Sequence, residues 1–165
     1  MAYKKKSWQD KMADKKNTPK ILILQENFPC YRSVAKMGRK VGDRCVLVNP
    51  REVREIMLTV PKGKLMTIYE ICKKLAAKYN VETCCSLTMG IFIMTAANAA
   101  KEAKQQGKKD NLAYWRTLKS NGYLNPKYPG GMEKQKELLE AEDFVVEKRG
   151  KNYRVKDFEK YLVEV

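Results

Sequence analysis

The sequence contains no histidine in 165 residues. That absence removes every Ser–His and Cys–His pair through which a hydroxyl or thiol is commonly activated. The five cysteines, Cys30, Cys45, Cys72, Cys84 and Cys85, include no Cys-x-x-Cys pair. With no such pair, no histidine, and Cys84 and Cys85 adjacent, no metal site is expected. No stretch approaches the roughly 18 apolar residues that span a bilayer, and the first twenty residues hold no apolar run of the signal-peptide kind. The expectation is a cytoplasmic protein with reduced thiols and no membrane partner. Glu70, Glu82 and Glu102 form no spaced acid–base pair with other carboxylates, and no cofactor is expected.

Positive charge is what the chain has in excess. Lys and Arg total 34 against 19 Asp and Glu, a net +15. The first twenty residues hold seven Lys and two Asp, so most of the excess lies beyond them. A polyanion is the natural partner, because neutralised phosphates release condensed counterions. The competing reading is a lysine-covered, well-solvated surface. Hydrophobic residues make up 44%, enough for a packed core in one domain with appendages.

Residues 1–20 read as a basic flexible arm. Residues 21–48 read as an N-terminal elaboration with strand candidates at Ile21–Leu24 and Cys45–Val48 and no assignable fold between them. Asn49-Pro50 starts a helix carrying Val53, Ile56, Met57 and Val60, which Pro61-Lys-Gly63 ends. Thr67 and Glu70 form a capping box for a helix running to Tyr79. Ser86 is a candidate cap for a third helix, from Leu87 to about Gln106, whose apolar Met89–Met94 segment predicts a central position. Tyr114–Leu118 and Tyr123–Leu124 around Lys119-Ser-Asn-Gly122 predict a hairpin. A helix over Met132–Glu142 follows Gly130-Gly131. A second hairpin is expected around Arg149–Asn152, then a short helix capped by Asp157. Helix, helix, helix, hairpin is the order of a winged helix-turn-helix, assigned here to residues 49–147. Residues 148–165 are a C-terminal hairpin and helix extension. The fold class is α+β.

Several stretches resemble one family. Val60-Pro-Lys-Gly-Lys-Leu-Met-Thr67 resembles the Pro-x-Gly-x-Val-x-Thr start of the DNA-binding domain of alkylguanine-DNA alkyltransferases. Tyr114-Trp-Arg-Thr-Leu-Lys-Ser-Asn-Gly122 resembles the segment that carries Pro-Cys-His-Arg-Val there, with its Gly-containing turn. Gly130-Gly-Met-Glu-Lys-Gln-Lys-Glu-Leu-Leu-Glu-Ala-Glu142 is similar to the closing helix of that domain. Thr83-Cys-Cys-Ser-Leu-Thr-Met-Gly-Ile-Phe92 is similar to a bacterial subgroup carrying Thr-Cys-Pro-Leu-Thr-Thr-Gly-Ile-Phe. The resemblance covers about residues 46–147.

The family transfers an alkyl group from guanine to its own cysteine. By the resemblance that cysteine falls at Tyr114, the proline before it at Ala113 and the activating histidine at Trp115. The tyrosine that rotates the lesion out of the duplex falls at Ile68, beside Tyr69, and the arginine that fills the gap falls at Leu87. A phenol with a reference pKa near ~10 cannot replace an activated thiolate. The resemblance therefore implies the alkyltransferase-like branch, which keeps the fold, lacks the reactive cysteine and binds alkylated DNA without repairing it. Double-stranded DNA, alkylated or otherwise damaged, is the expected partner of a monomer, with repair-pathway proteins as further partners. Two other readings stay open: an active methyltransferase using Cys84 or Cys85 at a helix start, and a protein or RNA interaction module.

The expected DNA contacts follow. Lys62 and Lys64 flank a turn and suit phosphates, or are simply solvated. Thr67 and Ser86 sit at helix starts, where free N–H groups favour phosphate; capping alone also explains them. Tyr69, Leu87, Thr88 and Met89 complete the helix-start surface, with Leu87 or Met89 as an apolar wedge. Strand alternation puts Tyr114 and Arg116 on one face, beside Lys119, Ser120 and Asn121, and turns Trp115 toward the core. Arg116 has a structural alternative, a bond to the helix beginning at Ser86.

Overall fold

The computed structural model describes residues 4–15 and 17–165. Its longest element is helix α5 (Ser86–Gln105), which runs through the main core. Met89, Phe92 and Ile93 are buried along it, and Ala96, Ala97, Ala99, Ala100 and Ala103 continue the buried face. Alanine leaves room for close neighbours. Helices α1 (Trp8–Ala13), α3 (Pro50–Leu58) and α4 (Ile68–Tyr79) pack against α5. Its central position follows the expectation, but one stripe remains open: Leu87 and Ile91 are 53% and 52% exposed.

The helix starts show why these segments fold locally. Asn49 accepts the Glu52 N–H at 3.2 Å, with Pro50 at the first helical position of α3. Thr67 accepts the Tyr69 N–H at 3.2 Å, while Glu70 accepts the Thr67 N–H at 2.7 Å and the Thr67 hydroxyl. Ile71, Cys72, Leu75 and Ala76 then form the buried face of α4. Asn80, in the left-handed region at φ 53°, closes that helix. Ser86 is not a cap. Cys85 occupies that position, and the Ser86 hydroxyl donates to Ser33 at 2.8 Å.

Residues 20–48 form a small α/β unit. Strand β1 (Lys20–Ile23) pairs antiparallel with β2 (Arg44–Leu47), and β2 pairs in parallel with β4 (Thr83–Cys84). Between β1 and β2 lies the short helix α2 (Tyr31–Ala35). Leu24, Cys30, Val34, Cys45 and Cys85 make its separate core.

The expected arm is corrected in its middle, which is a docked helix. Ser7 caps α1, and the Trp8 and Gln9 N–H groups donate to the Glu102 carboxylate at 3.1 Å each. Gln9 Nε2 donates to the Ala99 carbonyl at 2.6 Å, and Met12 is buried. Six residues of helix carry too few apolar side chains to stand out among the flanking lysines. Residues 1–3 and 16 of that segment lie outside the described residues.

The hairpin expected at 114–124 is also corrected. Its two arms pair elsewhere. Strand β5 (Thr117–Leu118) runs parallel to β3 (Met66–Thr67), and Tyr123 bridges to Arg154. Tyr114–Arg116 and Ser120–Gly122 are 3-10 turns. The Asn-Gly turn itself forms, with Asn121 and Gly122 both left-handed and Lys119 N–H donating to Tyr123 at 2.9 Å. Helix α6 (Gly131–Glu140) follows, then the expected hairpin of β6 (Val146–Arg149) and β7 (Asn152–Val155). Phe158–Tyr161 is a 3-10 turn; Asp157 precedes it without a capping bond.

The expectation of reduced thiols is corrected at one pair. Cys72 on α4 and Cys84 on β4 are joined as a disulfide, their Cα atoms 5.3 Å apart. The turn from α4 into β4 brings together residues twelve apart in sequence. Among the described residues no helix is long and apolar enough to cross a membrane.

Candidate nucleic-acid interface

The N-termini of α4 and α5, the turn before β3 and the turn after β5 carry the residues expected to touch DNA. Lys62 and Lys64 are exposed, flanking Gly63 at φ +86°. Lys119 and Asn121 are exposed and Ser120 is half-buried. The Asn121 carbonyl accepts Arg154 Nε at 2.8 Å, which ties this turn to β7. Leu87 projects from the first turn of α5. Tyr69 is half-buried in a groove between α4 and α2.

Other expected contacts point inward. Met89 is fully buried, so it cannot serve as a wedge; its place on the apolar face of α5 decides this. Thr67 is buried in its capping box and Ser86 is buried against Ser33. Thr88 is half-buried, its hydroxyl donating to Cys85 Sγ at 3.1 Å.

Arg116 is committed to the fold. Its Nη2 and Nε reach the Glu142 carboxylate at 2.6 and 3.0 Å, and Nη1 donates to the Val60 carbonyl at 2.9 Å. This locks the 114–118 segment to the ends of α6 and α3. The expected pairing of Tyr114 with Arg116 on an outer face is corrected, because a 3-10 turn does not alternate as a strand does. Tyr114 is only 8% exposed, deeper than the half-buried Trp115. Its ring stands edge-on to Trp115 and Tyr128, with centroids 5.4 and 5.2 Å away. Burial raises the Tyr114 phenol above its usual pKa. Tyr128 is raised further, by burial and then by Tyr114, and its hydroxyl donates to the Thr117 carbonyl at 2.7 Å.

A cleft of about 930 Å³ opens beside Tyr114 and Trp115, between the C-terminal half of α5 and α6. That is at the upper end of the ~300–1,000 Å³ that ligand pockets span. Leu112, Pro129 and Leu138 give it apolar wall, and Lys101, Lys104, Lys134, Glu133 and Glu137 ring it. Lys134 pairs with Glu137 at 2.9 Å, and Glu133 accepts the Tyr153 hydroxyl at 2.7 Å. Gly130 lies on the rim at φ +77°, and a Cβ there would meet Lys134 Cβ at 2.6 Å. Gln135 is fully buried behind the cleft, accepting the Asn125 N–H at 2.7 Å and donating to the Trp115 carbonyl at 3.1 Å. Tyr128 and Gln135 are site residues that sequence reasoning missed.

All five cysteines are buried. Cys84 is bonded to Cys72, and Cys85 lies against Thr88. Burial, with Cys85 adding to it, pushes Cys30 up to about 11 and Cys45 up to about 12. Among the described residues no group of three His, Cys, Asp or Glu side chains is placed to hold a metal ion.

No family model and no curated protein matches the chain. Two solved structures do. One is Atl1 of S. pombe in complex with damaged DNA containing O6-carboxymethylguanine, at TM-score 0.50 and 16% identity. The match covers 70% of this chain and 94% of that one. A second structure, of S. pombe ATL in complex with DNA, gives the same values. At that identity the likeness is one of fold: the chain has the mixed helix and small-sheet architecture of these alkyltransferase-like proteins.

Proposed function

We propose that this protein binds double-stranded DNA as an alkyltransferase-like protein and recognises alkylated or otherwise damaged bases without taking the alkyl group. The observation that carries the reading is the open cleft at Tyr114 and Trp115, in a fold seen elsewhere on damaged DNA, with a phenol where the resemblance expects a thiol. A net charge of +15 supplies attraction to the backbone. In this reading α4 and α5 are the helix-turn-helix pair of a winged-helix arrangement, and the Lys119–Gly122 turn takes the place of the wing tip.

The chemistry of the site favours recognition over transfer. Tyr114 has a raised pKa from burial, and its ring neighbour Tyr128 is no base to deprotonate it. Cys84 and Cys85 are buried and engaged, so neither presents a free thiolate to a base. An extruded base would enter the cleft against Trp115 and Tyr114, where stacking is worth ~1–3 kcal/mol per base. That offsets part of the few kcal/mol, roughly, that unstacking costs. Leu87 is exposed at the start of α5 but lies about 20 Å along that helix from the cleft wall at Ala100, Lys101 and Lys104, too far to fill the gap an extruded base would leave.

Incubation with a duplex carrying an O6-alkylguanine, followed by intact-mass measurement, tests the reading. The expected result is a retarded complex with no mass added to the protein. An added alkyl mass on any cysteine would establish the transferase instead. One observation favours a protein-interaction module, the exposed Leu87 and Ile91 stripe on α5. Absence of measurable binding to duplex DNA, plain or alkylated, would support that alternative.

A further inference from the structure

The unit formed by residues 20–48 does more than extend the sheet. Ser33 on α2 bonds Ser86 at the start of α5, and Cys30, Val34, Cys45 and Cys85 pack beneath that contact. This seats the C-terminal end of α2 beside the first turns of α4. After α2 the chain turns back on itself: Met37 and Arg39 donate to the Val34 carbonyl at 3.0 and 3.2 Å, with Gly38 left-handed at φ +82°.

The result is a groove of about 350 Å³ between α2 and α4. Lys36 and Arg39 line one wall, and Tyr69 and Lys73 the other. Tyr69 and Lys73 are one helical turn apart, so they share a face. Among the described residues, Lys36, Arg39 and Lys73 form no ion pair. The two carboxylates in the groove are both engaged. Glu82 is held by Arg44, with N–O distances of 2.6 to 3.1 Å, and its pKa is lowered to about 2 chiefly by that bond. Glu70 is turned into the Thr67 capping box. With Glu82 neutralised by Arg44 and Glu70 turned into its capping box, the three unpaired cations outnumber the one remaining negative charge and suit a phosphate group.

We propose that the groove between α2 and α4 seats a DNA backbone phosphate, so that Lys36, Arg39 and Lys73 extend the duplex interface from α4 and α5 onto the N-terminal unit. This rests on the DNA-binding reading and adds to it a contact that the resemblance does not supply. The sequence expectations assigned none of these three residues to the interface.

Each lost phosphate contact lowers the slope of log affinity against log salt by about 0.9 on duplex DNA. Fluorescence anisotropy of the full chain on a labelled duplex, at several salt concentrations, therefore reads the contact directly. The charge-matched control is K15A/R51A: both side chains are exposed beside the α1–α3 face, and neither lines the cleft or the groove. Because the three cations share one phosphate, K36A/R39A is expected to lower the slope by up to about 0.9 and K73A by part of that. K15A/R51A is expected to leave it nearly unchanged. Melting curves matching the parent's would confirm that all variants are folded, and K73A alone decides if K36A/R39A is not. Unchanged slopes for the groove variants, or an equal fall in the control, overturn the proposal while leaving DNA binding in place. A slope change on an RNA hairpin but not on duplex DNA overturns it too. A parent protein with no salt-dependent duplex binding overturns both this proposal and the reading beneath it.

Discussion

At the scale of single residues, Arg116 shows how a side chain that reads as a DNA contact becomes part of the frame. Its charge sits against Glu142, with both side chains largely buried. Removing one partner of such a pair leaves the other charged and desolvated, at a cost of about 3 kcal/mol. R116A should therefore lower stability in urea by about that amount. R116M combined with E142L should recover most of the loss, which a double-mutant cycle would measure. Leu87 makes the opposite case. It is exposed, so L87A should stay within about 0.5 kcal/mol of the parent in stability. Because Leu87 lies about 20 Å along α5 from the cleft, the same change should affect binding to lesion-containing and plain duplexes alike. Glu82 gives a pH signature. Its folded pKa is lowered to about 2, first by its side-chain bond to Arg44. The stability it contributes is therefore present above its ordinary value of 4.5 and is lost as pH falls toward 2. The stability difference between the parent and E82Q should be full at neutral pH and vanish near pH 2 in denaturant midpoints.

At the scale of elements, local signals and long-range partners divide what can be read from the chain. Helices α3 and α4 are legible because Asn49 and Thr67 cap them within four residues. The β6–β7 hairpin is legible because its turn and both strands are contiguous. Pairings between distant segments leave no such mark. Strand β2 finds β4 across 38 residues, and β3 finds β5 across 51. The Asn121-Gly122 turn suggested a hairpin, yet its flanking residues had better partners in β3 and β7. The site divides the same way. The helix-start residues were visible, while the cleft behind Tyr114 depends on α6 and on Gln135, 20 residues away from Trp115. Helix α1 was hidden because its anchor, Glu102, lies on α5. E102Q should weaken that anchor by removing the charge from the hydrogen bonds. Amide hydrogen exchange at Trp8 and Gln9 should then speed up at least tenfold, with α4 and the centre of α5 unchanged.

For the whole molecule, charge and shape point the same way. An excess of cations surrounds a fold seen elsewhere on DNA, and a cleft opens where the resemblance expects a reactive sulfur. The aromatic pair Tyr114 and Trp115 lines that cleft, and the three free thiols and the Cys72–Cys84 disulfide are buried away from it. The account asks the protein to hold a lesion, with backbone attraction providing most of the affinity and the cleft providing the preference. Equilibrium titration of the protein with two otherwise identical duplexes, one plain and one carrying an O6-alkylguanine, separates these parts when repeated across salt concentrations. The account requires affinity for both duplexes to fall steeply and in parallel with salt, with the alkylated duplex bound more tightly throughout. Weak, salt-independent binding that does not distinguish the two would contradict it.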